Sequence, residues 1–347
     1  MTDQVKLEKP APTARSASSV RIRRSTRTSR WAILPGLVVV AVLAYLPYLF
    51  GPDSTSTLVD FFILLVLGMT WNLMAGYAGL VSVGQQAYVG LGAYAVLWMA
   101  QRGIEPFLAL PIAAAFCAVV AIPVSWLVFR LRGGYFAIGT WVVAEVFALL
   151  TIRDSGLGGG TGTNLPGLNF DPLVLGAYTY WAALIVAVLT LLGCYAVLRS
   201  RVGLALTAVR DDETAARGVG VRVSSAKRVV YLAAALGAGA TGGLLAISEL
   251  NVQPTDVYDV KWSAYMIFVV LIGGIGTLEG PIIGTIVFFV LQQTLAGYGA
   301  WYLIILGSVA VLMAVWARQG LWGLLDRWGV RLFPVGYRVL GRPPSGS

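Results

Sequence analysis

Long stretches of apolar residues, each closed by a short polar or glycine-rich connection, set the rhythm of this chain. An α-helix crosses a bilayer with about 20 such residues. The first stretch, Trp31–Phe50, has that length and no Ala-x-Ala-type cleavage site, so it reads as a retained membrane helix and not a signal peptide. Further spans are expected at Thr57–Ala75, Ala78–Ala100, Phe107–Phe129, Gly134–Ile152, Tyr178–Leu198, Val229–Ile247, Trp262–Gly276, Pro281–Gly297 and Ala300–Ala317. The second and third meet at Gly76-Tyr77-Ala78-Gly79, the eighth and ninth at Gly273-Gly274-Ile275-Gly276. At both places the chain is expected to break or re-enter. The predicted fold is an all-α polytopic membrane protein of about ten transmembrane helices, some broken or re-entrant.

Composition sharpens this picture. Of 347 residues, 58% are hydrophobic and 12% charged, half the charge of a soluble domain, where about a quarter is usual. Such a chain cannot cover its surface in water. The 41 glycines fit helices that pack backbone to backbone in a membrane. The sequence has no histidine, which excludes His metal sites, Ser-His or Cys-His catalysis and a histidine proton relay. Cys117 and Cys194 lie in apolar runs and read as core-filling thiols.

Charge then orients the spans. Residues 1–30 hold eight of the 25 basic residues, Arg199–Arg228 seven, and the segment after Ala317 five. With ten spans and both termini inside, these blocks together with Arg130 and Arg132 fall on the inner face, as the positive-inside rule requires. Arg102, Arg153 and Lys261 fall outside, with Asp53, Glu105, Asp154, Asp171, Glu249, Asp256 and Asp259. This distribution also argues against nucleic acid as the partner of a chain with net charge +9. The organisation expected is a disordered basic cytoplasmic tail (1–30), a membrane domain (31–318) and a cytoplasmic C-terminal tail (319–347). Two long loops stand out. The outer one, 153–177, carries Gly156, Gly158, Gly159, Gly160 and Gly162; the inner one, 199–228, is charged and helix-compatible.

No catalytic constellation appears. The glycines of the outer loop have no following Lys-Ser/Thr, and none of the four lysines follows a glycine, so the chain lacks a P-loop. If ATP drives its work, another subunit binds the nucleotide. Six polar residues interrupt apolar spans: Asn72, Ser82, Gln85, Gln86, Thr140 and Glu145. Glu145 lies ~16 Å into its span at 1.5 Å per residue, where a charge costs about 3 kcal/mol on insertion scales and usually faces the bundle interior. These six are the candidate translocation pathway. Gly76, Gly79, Gly273, Gly274, Gly276, Gly280 and Gly284 are candidates for helix breaks or close packing. The last three, four apart, share a face wherever the segment is helical. Gln292, Gln293 and Gly237–Gly243 are assigned to helix packing.

The inner loop reads Ala208-Val209-Arg210-Asp211-Asp212-Glu213-Thr214-Ala215-Ala216-Arg217-Gly218-Val219-Gly220. Asp211, Asp212 and Glu213 are expected early in a short helix, where acids meet the positive end of its dipole. Ala215 and Ala216 are expected on a slim exposed face. Glu213 with Ala215, Ala216 and Gly220 resembles the Glu-Ala-Ala…Gly loop of ABC importer permeases, with Thr214 inserted between the acid and the alanines. Residues Asn72–Tyr88, Gly134–Thr140 and Ile272–Pro281 are similar to the branched-chain amino acid permease family, in particular its LivM-type subunit. The resemblance runs from about Leu58 to Leu324.

It implies an importer permease fold in the bacterial inner membrane, without a cofactor or metal. The implied partners are a second, LivH-type permease subunit, two cytoplasmic ABC ATPase subunits that dock on Asp211–Gly220, and an external solute-binding protein. Leucine, isoleucine or valine would be the cargo; urea and short-amide permeases share much of the pattern. The different class to weigh is an ion-coupled secondary transporter, for which the chain offers chiefly Glu145 as a buried ionisable group.

Overall fold

The computed structural model describes residues 21–23, 27–49, 52–168, 170–298, 301–316, 320–326 and 338–340. Most of the expected N-terminal and C-terminal tails lie outside these residues. Each of the ten apolar stretches contains a helix. They are α1 (Arg27–Tyr45), α2 (Pro52–Asn72), α3 (Gln86–Ala100), α4 (Pro106–Val128), α5 (Gly134–Arg153) and α6 (Pro172–Arg199), then, beyond the inner loop, α9 (Val223–Glu249), α11 (Lys261–Gly273), α12 (Gly280–Leu295) and α13 (Trp301–Trp316). Five helical segments, Thr55–Tyr77, Pro106–Val128, Gly134–Arg153, Pro172–Arg199 and Val223–Glu249, are long and apolar enough to cross a membrane. The inner loop holds α7 (Arg201–Asp211) and α8 (Glu213–Gly218). A single turn, α10 (Pro254–Val257), precedes α11, and α14 (Gly320–Asp326) follows α13.

Local chemistry sets several boundaries. Pro106 and Pro172 open α4 and α6 at positions where no backbone donor is needed. Asp171 Oδ1 accepts from Leu173 N and caps α6, so this helix begins inside the loop expected to run to residue 177. Helix α1 starts at Arg27, four residues inside the expected tail.

The core is centred on α2 and α9. Helix α9 packs on α2, α3 and α4, while α2 also packs on α6, α11 and α12. Small residues make this possible: a Cβ on Gly92 would lie 2.0 Å from the Gly239 carbonyl oxygen, and one on Gly242 1.8 Å from that of Val89. The stretch Gly237–Gly243 thus serves helix contact, as its composition suggested. Tyr88 Oη donates to Tyr231 Oη at 3.0 Å inside this core. Both cysteines are buried and free.

Strand pairing is minor. β1 (Arg21–Arg23) runs antiparallel to β4 (Arg338–Leu340), and β2 (Thr163–Asn164) to β3 (Asn251–Val252). The β2–β3 pair matters because it ties down the long glycine-rich loop. Leu165 N donates to Leu250 O at 2.8 Å, and Gln101 Nε2 to Gly156 O at 3.2 Å. These bonds gather the connections 101–105, 154–171 and 250–260 at one end of the bundle. At the other end, Arg228 lies over the Trp126 ring, Arg210 reaches Gly76 and Gly320 presses on Gly274. The inner loop, both glycine breaks and α14 therefore share one end.

Candidate functional site

The first break begins at Asn72, where α2 loosens into a π-helical turn, Leu73–Tyr77, and the chain then leaves helical geometry until Gln86. The apolar stretch expected to be helical from Ala78 thus has an irregular first third. Backbone of this kind is tolerated at membrane depth only where protein or a water-filled cavity satisfies it, and here protein does. Trp71 Nε1 donates to Ser82 O at 2.8 Å, Leu80 N to Met74 O at 3.0 Å, and Val83 N to Thr140 Oγ1 at 3.3 Å. Gly84 lies so close to α5 that a Cβ there would stand 1.9 Å from Thr140 O.

The second break, between α11 and α12, is tighter. Gly274 and Gly276 adopt φ of 127° and 77°, and Thr277 Oγ1 donates to Gly274 O while accepting from Gly280 N. Gly276 is part of this turn and not of a helix, so of the three glycines spaced four apart only Gly280 and Gly284 belong to α12. Both press α12 onto the backbone of α11 and its turn, with hypothetical Cβ distances of 2.3 Å to Gly274 O and 1.9 Å to Val269 O.

The two breaks touch. A Cβ on Gly76 would be 2.6 Å from Gly276 N. Asn72 locks them: its Oδ1 accepts from Gly276 N at 2.8 Å and its Nδ2 donates to Thr277 O at 2.7 Å. Beyond the clasp stand Gln85 and Gln86, both buried. Gln85 Nε2 meets only the Met74 sulfur, at 3.5 Å, and Gln86 Oε1 accepts from Ser263 Oγ. Gln85 Oε1 and Gln86 Nε2 are left without a hydrogen-bond partner. One unpaired acceptor and one unpaired donor on successive buried glutamines are polar groups that the described residues leave unsatisfied.

Five of the six expected pathway residues therefore cluster: Asn72, Ser82, Gln85, Gln86 and Thr140. Glu145 does not join them. It is exposed on the outside of α5, where its Oε1 accepts from Trp141 Nε1 at 3.0 Å. The inward face of α5 is Phe136, Thr140 and Ala144, and at about 100° per residue Glu145 falls beside that face and not on it. Ser263, Thr277 and Arg210 belong to the cluster although sequence reasoning passed over them. A lone serine in the apolar run of α11 was the one local hint.

The inner loop is a folded elbow. Ser200 Oγ accepts from Val202 N and caps α7. Asp211 ends α7 and Asp212 caps α8, accepting from Thr214 N at 2.7 Å and Ala215 N at 3.0 Å. The three acids thus straddle two helices; they do not open one. Glu213 pairs with Lys227 at 2.7 Å and Arg217 at 2.6 Å. The Lys227 hydrogen bond, against partial burial and with Arg217 assisting, holds its carboxyl below the usual carboxylate range. Ala216 is buried with Val209 and Val223 in a small core of its own, which corrects the expectation of an exposed alanine pair. Thr214, Ala215 and Val219 face outward, and Gly220, at φ 84°, reverses the chain toward α9.

An all-α integral membrane protein with two glycine-broken helices clasped together, and a folded elbow beside them, is the architecture of a transport permease. A family model described as "branched-chain amino acid transport system / permease component" matches residues 54–315, and the chain belongs to that family. It is 28% identical over 314 residues to the high-affinity branched-chain amino acid transport system permease protein LivM of Escherichia coli K12, covering 82% of this chain and 74% of the relative. The LivM protein of Salmonella typhimurium LT2 is 27% identical, over 83% of this chain and 74% of the relative. The ribose import permease protein RbsC of Bacillus subtilis 168 is 26% identical, over 76% and 80%. No solved structure shows a significant match to the chain.

Proposed function

We propose that this chain is the membrane-spanning subunit of an ATP-driven importer of branched-chain amino acids in the bacterial inner membrane. The likeness to LivM over four-fifths of the chain carries the cargo assignment. In this reading the ten apolar stretches give about ten crossings, with the elbow and both termini cytoplasmic. The route passes the clasped breaks along Asn72, Ser82, Gln85, Gln86 and Thr140. Asp211, Asp212, Glu213, Ala215, Ala216 and Gly220 build the elbow on which an ATPase subunit seats, and Ala215 and Val219 form its outermost contact. An external binding protein docks at the opposite end, on the loop held by β2 and β3. Glu145, too costly to leave in lipid, faces the second permease subunit across α5.

The test is uptake by the whole importer in proteoliposomes: this chain, its companion permease, the ATPases and the binding protein. Saturable, ATP-dependent accumulation of leucine, isoleucine or valine is expected. Accumulation of ribose or an amide instead would overturn the cargo assignment. Uptake by this chain alone on a proton or sodium gradient would overturn the class.

A further inference from the structure

We infer that Arg210 is a positioning residue of the transport cycle, the latch by which the elbow holds the two helix breaks together; this rests on the importer reading above. Three observations meet at this side chain. Its Nη1 donates to Gly76 O at 3.1 Å, spanning 134 positions of sequence. That carbonyl is available because the helix has ended: Leu80 N, which would serve Gly76 in a continuing helix, is bonded to Met74 O. The same Nη1 lies 2.6 Å from where a Cβ on Gly276 would stand, so the guanidinium sits against both breaks at once. Asn72 clasps those breaks through Gly276 N and Thr277 O, so the node joins three elements: elbow, α2 break and α11–α12 turn.

Arg210 closes the last turn of α7, two residues before the Asp212 cap of α8. Val209 beside it packs on Ala216 of α8 and Val223 of α9. A force on α8 therefore reaches Arg210 through a packed contact and a two-residue link, with no flexible segment between. Moving the elbow withdraws the guanidinium from Gly76 and Gly276 and leaves Asn72 alone to hold the breaks. A single strong donor at this point lets a cytoplasmic push open the inner end of the route.

The experiment uses the assembled importer with Arg210→Ala and Arg210→Lys, each also carrying Ser82→Cys as a reporter on the buried break. Expected for Arg210→Ala is at least a tenfold rise in the rate at which a membrane-impermeant maleimide labels the introduced thiol from the cytoplasmic side. At least a tenfold fall in solute moved per ATP hydrolysed is expected for Arg210→Ala without the reporter cysteine. Arg210→Lys, which keeps one donor, should return most of both. Unchanged labelling of the reporter thiol, or uptake and hydrolysis falling in step with the amount of folded complex, overturns the latch. The labelling readout needs no cargo, so a wrong cargo would leave this test intact.

Discussion

Glycine marks both helix breaks, yet the two are built differently. In the first, a π-helical turn gives way to irregular chain over residues 79–85, which carries two buried polar side chains, Ser82 and Gln85, up to Gln86 at the start of α3. The second is a compact turn in which glycines let backbone meet backbone, closed by Thr277 from within and bonded by Asn72 from the first break. The same residue type thus admits irregular chain with buried polar side chains in one half and a close backbone abutment in the other.

This contrast fails most visibly if the abutment tolerates bulk. Gly273→Ala and Gly284→Ala each drive a methyl to 1.9 Å from a backbone oxygen and should abolish monodisperse protein in detergent extracts. Gly79→Ala, with open space but φ of 67°, should cost only about 1–2 kcal/mol and still yield protein. Equal yields from all three would dissolve the distinction.

Next in size is the clasp. Asn72→Ala strands Gly276 N and Thr277 O at a penalty of about 1–3 kcal/mol each, read as a lower thermal midpoint in detergent. Asn72→Asp keeps the acceptor but sets a buried carboxylate oxygen against Thr277 O, so its loss should be at least as large. Within the polar break the order of effects reverses. Gln86 Nε2 already lacks a partner, so Gln86→Leu strands only Ser263 Oγ and should lower stability by about 1–3 kcal/mol, while leucine uptake by the assembled importer falls at least tenfold. Retained uptake would remove Gln86 from the route.

The smallest effect concerns the elbow and acid. Glu213 is held below its ordinary 4.5 by Lys227 first and Arg217 after it. A carboxyl lowered in the folded state stabilises above its unfolded value, and that contribution disappears as pH falls through the folded one. Protection factors of the α8 amides, which remove the intrinsic pH dependence of exchange, should therefore be flat from neutral pH to about 5 and fall only below 4.5; a fall near pH 6 would contradict the pairing.

The sequence made the helices legible because the bilayer demands long apolar runs, and it marked both breaks because glycine pairs interrupt them. It did not reveal where helix gives way to irregular chain. Ala78, Leu80, Val81 and Val83 are as apolar as any helix, and the bonds that hold them come from Trp71 and Thr140. Depth along α5 was readable for Glu145, but which way it faces was not, since a helix apolar all round has no preferred side. Asp212 before Glu213 and Thr214 is a cap signal, and it competes with reading three successive acids as one cluster. Arg210 left no local trace, because its partner is 134 positions away.

Burial of both native thiols has a practical corollary. Cys117 is wholly enclosed and Cys194 nearly so, neither in a disulfide. A cysteine placed at the elbow, on α5 or in the β2–β3 loop would be the single readily reached thiol among the described residues. The wild-type background is thus already suited to spin-label or fluorophore distance measurements across the transport cycle.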